Sequence, residues 1–412
     1  MTNRTLYIKQ PYIEALEDKA RLICDIIDNN EIKQVYFEVD TKYSQYLCYE
    51  RCDAFVIGLL NYAMRKNLNI QSDAPITEML LYNIEEHLIP SLTKHDKDLY
   101  KIKITAEIES TPIKNAGAIG TGLSCGIDSF HAIYKNYNNK FKGLNLTHLC
   151  INNVGAFSNS YKEYGIEKTR SERYKIAQEV ADNINLPLLQ TDSNFLQAFP
   201  QDHYLTNSYS SVFAIYCLQK LWQCYFLGSV GLDYNSFTLE DNSKHDSACY
   251  DLLSLQCFSH SNLKIFSEGG AEDRLEKTKD ILDYEVAQKY LHVCTCKPYN
   301  CNVCPKCMRT ILSLYALGSL DKFKKVFDIE YFKKHKNKYF NFLCKSVYRH
   351  DKMLYPIYNN LKKQIPLYIK IDARIKANKL IKNASSIFSI KNEYVNDKKY
   401  KVLTIMGIKV KF

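Results

Sequence analysis

One stretch of the chain restricts its fold more than any other: the short apolar run Ala116–Leu123, then Ser124-Cys125-Gly126-Ile127-Asp128-Ser129, then the apolar turn Phe130-His131-Ala132-Ile133. A strand that passes through a polar loop straight into a helix is the repeating unit of a parallel sheet covered on both faces. Such a loop also aims backbone N–H groups and hydroxyl donors at one point, where the helix dipole favours negative charge. A phosphate cradle is expected. Two other phosphate loops fail on residue identity. A Walker loop needs Gly-Lys-Ser/Thr opening the helix, and no lysine occurs between Lys114 and Lys135. A dinucleotide fingerprint beginning at Gly120-Thr121-Gly122 needs glycine where Cys125 stands.

The same order of strand, loop and helix recurs downstream. Strands are expected at Ala116–Leu123, Thr147–Asn152, Leu186–Thr191, Tyr225–Val230 and Leu263–Phe266. Helices are expected at Ser129–Asn136, Lys168–Ile184 and Ser208–Gln223. The fold class is therefore α/β, a doubly wound parallel sheet over residues 113–292. Residues 1–112 predict a separate α+β domain, with strands at Thr5–Lys9, Gln34–Val39 and Tyr100–Glu109 and helices around Tyr12–Asn29, Asp53–Lys66 and Ile76–Leu88. Thr77 or Asp73 is expected to cap the last of these.

The chain has 412 residues, 46% hydrophobic and 24% charged, the composition of a globular protein with more than one compact unit. No apolar run approaches the roughly 20 residues that cross a bilayer, and Met1-Thr2-Asn3-Arg4-Thr5 leads into no signal-peptide core. A cytoplasmic location follows as an expectation, with peripheral attachment at the inner membrane face as its variant. Charge is uneven: residues 321–412 carry 23 Lys+Arg against 7 Asp+Glu, a balance of +16, which leaves 32 against 38, or −6, for residues 1–320. This basic, mainly helical C-terminal region suits an anionic membrane surface or an acidic partner; RNA is a weaker alternative, and a homodimer stays open.

Of fifteen cysteines, five crowd between Cys294 and Cys307. Cys301, Cys304 and Cys307 are three apart, a spacing that points all three sulfurs at one ion, and Cys294 or Cys296 completes a tetrahedron, Cys294 being preferred. A fully thiolate site leaves no open position, so residues 293–320 are expected to hold a structural Zn2+. A redox-active Cys-x-x-Cys pair is the alternative.

The loop Ser124–Ser129 resembles that of the PP-loop ATP pyrophosphatases, whose usual sequence is Ser-Gly-Gly-x-Asp-Ser; here Cys125 replaces the middle glycine. The cluster Cys294 to Cys307, followed by Met308-Arg309, is similar to the zinc-binding end of the branch related to 7-cyano-7-deazaguanine synthases. Tyr250-Asp251-Leu252-Leu253, Glu268-Gly269-Gly270-Ala271-Glu272 and Arg274-Leu275-Glu276-Lys277-Thr278 resemble a subgroup of that branch. The likeness covers about residues 113–320 and implies a HUP/PP-loop fold.

What the resemblance implies is adenylation. Ser124, Cys125, Gly126, Ile127, Asp128 and Ser129 would grip the β- and γ-phosphates of ATP, with Asn152 and Gly155 beside the adenine ring. Asp128, Ser129 and Arg274 are the expected catalytic residues, Asp128 assisting Mg2+ unless it caps its helix instead. The substrate would be a small acid, activated for amide- or nitrile-type formation. Arg274 and Lys277, three apart, can share a helix face towards phosphate, and for Lys277 a solvated helix face is at least as good an explanation. His203, Asn207, His245 and Asp246 are either substrate contacts or surface residues. Alternatives are a tRNA-thiolating relative, for which paired catalytic cysteines are not evident, and a non-catalytic nucleotide-binding protein. The tail Asn392–Phe412 is similar to the ends of some bacterial surface-polysaccharide biosynthesis proteins; its alternation of apolar and lysine residues suits either an amphipathic ending on an anionic membrane or an edge strand.

Overall fold

The computed structural model describes residues 4–155, 166–230, 234, 236–239, 246–377, 388–395, 398–405 and 408–411. The chain divides into two compact units, Met1–Cys301 and Asn302–Phe412.

The first unit is α/β, built on a mainly parallel sheet. Its strands are β1 (Arg4–Ile8), β2 (Tyr12–Ala15), β3 (Lys19–Asp28), β4 (Glu31–Asp40), β5 (Leu68–Ser72), β6 (Ile76–Thr77), β7 (Ile104–Thr105), β8 (Ile108–Glu109), β9 (Ala118–Gly122), β10 (His148–Asn153), β11 (Leu188–Ser193), β12 (Trp222–Gly228) and β13 (Lys264–Glu268). Eleven of them form one sheet in the order β13-β12-β9-β10-β11-β4-β3-β1-β5-β7, with β2 on β3; β6 pairs separately with β8. The strands β9 to β13 are all parallel to their neighbours in this group. The chain moves outward from β9 to β11, then returns across β9 to lay down β12 and β13, so the order reverses beside β9. A crevice at the strands' carboxyl ends is expected at such a reversal.

The strands of residues 1–112 continue this sheet, because β11 pairs antiparallel with β4 through Asp192 opposite Glu38. The expected helix over Tyr12–Asn29 is instead β2 and β3, antiparallel partners of each other, with β3 also paired antiparallel to β4. Ala20, Leu22, Cys24 and Ile26 are buried on one face, and on the other Ile23 is buried between the half-buried Arg21 and Asp25. Ala20, Ile23, Cys24 and Ile27 stand at positions i, i+3, i+4 and i+7, so the segment matches helical spacing as well as strand alternation. The helix expected from Ile76 starts at Glu78. Thr77 does not cap it: its N–H and hydroxyl both donate to the buried Asp53 carboxylate, at 2.9 and 2.6 Å. Asp73 pairs with Lys9 at 3.0 Å.

The second unit contains the helices Pro305–Ala316, Ile329–Val347, Tyr355–Leu361 and Leu367–Ala377. Ile311, Leu314, Phe332, Tyr339, Phe340, Leu343 and Ile357 form its buried apolar set. The region is helical only as far as Ala377. Beyond it, β14 (Phe388–Val395), β15 (Lys398–Ile405) and β16 (Ile408–Lys411) make an antiparallel three-stranded sheet. The period-two alternation of the tail suits this extended backbone.

Candidate functional site

The loop after β9 turns on Cys125, whose φ of 58° lies in the left-handed region. That is the conformation a glycine adopts freely and an L side chain only at a cost of about 1–2 kcal/mol. The residue is held there from both ends: the His292 N–H donates to the Cys125 carbonyl at 2.8 Å, and the Arg173 guanidinium donates to the Ser124 carbonyl. The Cys125 side chain is buried, and desolvation pushes its thiol up while the adjacent Arg173 opposes the shift. It is a packing thiol in a strained turn, without the exposure a nucleophile needs.

Gly126 precedes the helix Ile127–Tyr137, and no side chain caps its first turn. Ser124 is exposed, while Ile127 and Ser129 are buried. Ser124 Oγ accepts from the Gly126 N–H at 3.3 Å, and Ser129 Oγ donates to the Gly126 carbonyl at 3.1 Å. The free amides of the helix start and the two hydroxyls therefore converge, the arrangement that attracts an anion.

Asp128 faces two cations from the helix Arg274–Asp280. Its Oδ2 lies 2.9 Å from Arg274 Nη1 and its Oδ1 lies 3.7 Å from Lys277 Nζ. The helix is set by a capping box, in which Asp273 accepts from the Glu276 N–H at 2.9 Å and Glu276 accepts from the Asp273 N–H at 2.8 Å. Arg274 and Lys277 also donate to the carbonyls of Val230 and Ser229, both at 2.8 Å, just past the end of β12. Close approach of β12 to the loop requires Gly228, since a Cβ there would lie 3.1 Å from the Asp128 carbonyl oxygen.

Of the two readings of Lys277 the solvated helix face is excluded: its side chain is fully buried, and burial lowers its pKa while Asp128 opposes the shift. The capping alternative for Asp128 also falls, since its carboxylate is turned to the two cations. Around the loop, Asp128 Oδ1, Arg173 Nη1, His131 Nδ1 and Arg274 Nε are buried without a hydrogen-bond partner. Buried polar atoms normally find a partner in protein or ordered water.

His131 lies on the loop's own helix, with Nε2 3.3 Å from Asp280 Oδ2. His131, Glu272 and Asp280 bring their ligand atoms within 4.8 Å of one another. Lys135 Nζ already lies 2.9 Å from Asp280 and 3.4 Å from Glu272, supplying the cation.

Asn152 and Gly155 stand at the carboxyl end of β10. Asn152 Oδ1 accepts from the Thr191 hydroxyl at 2.8 Å. Gly155 has a φ of 118°, and a Cβ there would collide with Leu196 at 1.9 Å. Asn207 and Asp246 are joined through Asn207 Nδ2, which donates to Asp246 Oδ1. They adjoin Ser208, Ser247 and the buried Asp251, whose carboxyl accepts from the Ser208 hydroxyl and is pushed up to about 7 by burial. His203 starts the helix His203–Cys217, and His245 lies outside the described residues.

Cys294, Cys301, Cys304 and Cys307 place their sulfurs within 4.8 Å of one another, a set that could hold a zinc ion. Cys296 is exposed, and its N–H donates to Cys294 Sγ at 3.4 Å. The Cys307 N–H donates to Cys304 Sγ at the same distance. Such bonds favour thiolate over thiol and so suit metal ligation.

Arg173 and Asp251 were not singled out for chemistry by sequence reasoning. An arginine on the neighbouring helix carries no local signal of which loop it touches, and Asp251 titrates near neutrality because of tertiary burial. No helix among the described residues is long and apolar enough to cross a membrane. Comparison with family models, with curated proteins and with solved structures returns no match.

Proposed function

We propose that the chain is an ATP-dependent adenylating enzyme of the PP-loop kind, converting ATP to AMP and pyrophosphate as it activates the oxygen of a small acid. The observation that carries this reading is the meeting of Arg274, Lys277 and Asp128 at an uncapped helix start, beside the strand-order reversal at β9. The parallel part of the sheet, β13-β12-β9-β10-β11, follows the strand order known from doubly wound nucleotide-binding sheets, which supports this reading.

In this reading Ser124, Ser129 and the amides of Gly126 and Ile127 hold the β- and γ-phosphates. Arg274 and Lys277 face the charge that develops as the substrate carboxylate attacks the α-phosphorus. The new bond joins that oxygen to the α-phosphorus, the bond to the β-phosphate oxygen breaks, and pyrophosphate leaves with its electron pair. Mg2+ bound with ATP would neutralise phosphate charge during the displacement. Asp128 orients the two cations and keeps Lys277 charged within its burial. Thiol chemistry is not invoked, because the Cys125 side chain is buried.

The test is acid-dependent pyrophosphate release from ATP across a panel of small carboxylates, including sugar acids. Arg274→Met is expected to lower kcat by about 100-fold or more, the effect of removing one preorganised donor to developing charge. Equal rates with and without every acid, or an unchanged rate in the variant, would reject the assignment.

A further inference from the structure

The helix Leu367–Ala377 packs only one side against its unit. Ile369 is 3% exposed and Ala373 fully buried, whereas Leu367, Tyr368, Ile371 and Ile375 are 71, 61, 52 and 49% exposed. At about 100° per residue, these four fall within one arc of about 100°, lying opposite Ile369 and Ala373. The helix therefore carries two apolar faces, one buried and one open. A helix of a monomeric globular unit needs only the first.

Cations border the open face. Lys370 and Arg374 lie along one side of the arc, and Lys376 lies beyond Asp372 on the other, paired with it at 2.7 Å. Lys362 and Lys363 precede the helix and are exposed. They belong to the region whose balance is +16. Apolar side chains standing free between lysines and arginines match a surface that is apolar inside and anionic at its edge.

We propose that Leu367–Ala377 is an in-plane docking helix for an anionic lipid bilayer. At 1.5 Å per residue it is about 16 Å long, too short to span the hydrocarbon core. It would lie along the interface, with Leu367, Ile371 and Ile375 among the upper acyl chains and Arg374, Lys362 and Lys363 on lipid phosphates. Lys370 Nζ donates to the Lys362 carbonyl at 2.6 Å and the Tyr368 hydroxyl accepts from Asn337 at 3.0 Å, fixing the helix on its unit. Apolar insertion and charge attraction act together, so neither alone should suffice.

The experiment uses the full chain in vesicle sedimentation, with phosphatidylcholine alone and with phosphatidylserine added. Binding is expected only to the mixed vesicles and is expected to weaken as salt rises. Ile371→Glu and Leu367→Glu should each weaken it by about tenfold or more. Both positions are exposed, so thermal unfolding should be unchanged, and the variants' pyrophosphate release serves as a second check on folding. Wild-type binding that the variants retain would overturn the proposal. So would a concentration-dependent dimer abolished by Ile371→Glu, which would assign the face to a second copy, or retention on RNA but not on vesicles.

Discussion

Lys277 is fully buried with its ammonium 3.7 Å from the carboxylate of Asp128, on the first turn of the loop's helix. Asp128→Ala would leave that charge without its partner, at an expected cost of about 3–5 kcal/mol. Asp128→Ala with Lys277→Met should recover most of it, as read from denaturant midpoints. The sign with pH follows from Lys277: burial lowers its folded pKa below the unfolded value, and removing Asp128 lowers it further. The unfolded chain then binds the extra proton, so the single variant should regain stability as pH rises above neutrality. A pH-independent loss would contradict the pairing.

Cys125→Gly should change stability by no more than about 1 kcal/mol, because relief of the left-handed strain offsets the lost packing of the thiol. Cys125→Val should cost more than about 2 kcal/mol, since a branched side chain tolerates that φ poorly. Thermal unfolding of both variants checks the conformation directly. A Val variant as stable as the Gly variant would mean that the turn is not left-handed.

Asp251 is pushed up to about 7 by burial, against an unfolded value near 4. Between about pH 4 and 7 the folded chain holds a proton that the unfolded chain has lost. This group's contribution is thus fully present in acid and falls as pH rises, by a few kcal/mol across the window. Asp251→Asn keeps an acceptor for Ser208 and cannot ionise. Its stability relative to the parent should therefore grow from pH 5 to pH 8. A constant difference would show that Asp251 is charged throughout.

The parallel half of the sheet was legible because strands and helices alternate there with different periods. Thr147–Asn152, for instance, became His148–Asn153. The β2–β3 hairpin was not, because Ala20, Ile23, Cys24 and Ile27 fall at helical spacing and blur the strand alternation of Lys19, Arg21 and Asp25. The loop Ser124–Ser129 was visible from its own residues. The burial of Lys277 was not, because three-residue spacing from Arg274 fits a solvent face as well as a site. The role of Arg173 depends on a contact 49 positions away in sequence.

The four-cysteine set predicts about one equivalent of zinc in protein purified without added metal. Cys304→Ser should lower both metal content and the unfolding temperature, whereas Cys296→Ser should leave both unchanged, since Cys296 lies exposed outside the set. Metal-free protein of normal stability, or a disulfide between Cys301 and Cys304 in the native state, would contradict a structural metal site.

Adenylation is tested most directly by identifying the nucleotide product. Purified protein, ATP, Mg2+ and an accepted acid should yield AMP and pyrophosphate in equal amounts when the products are separated by ion exchange. Ser124→Ala with Arg274→Met should abolish both. Formation of ADP and phosphate instead would place the attack at the γ-phosphorus and contradict the assignment of the loop.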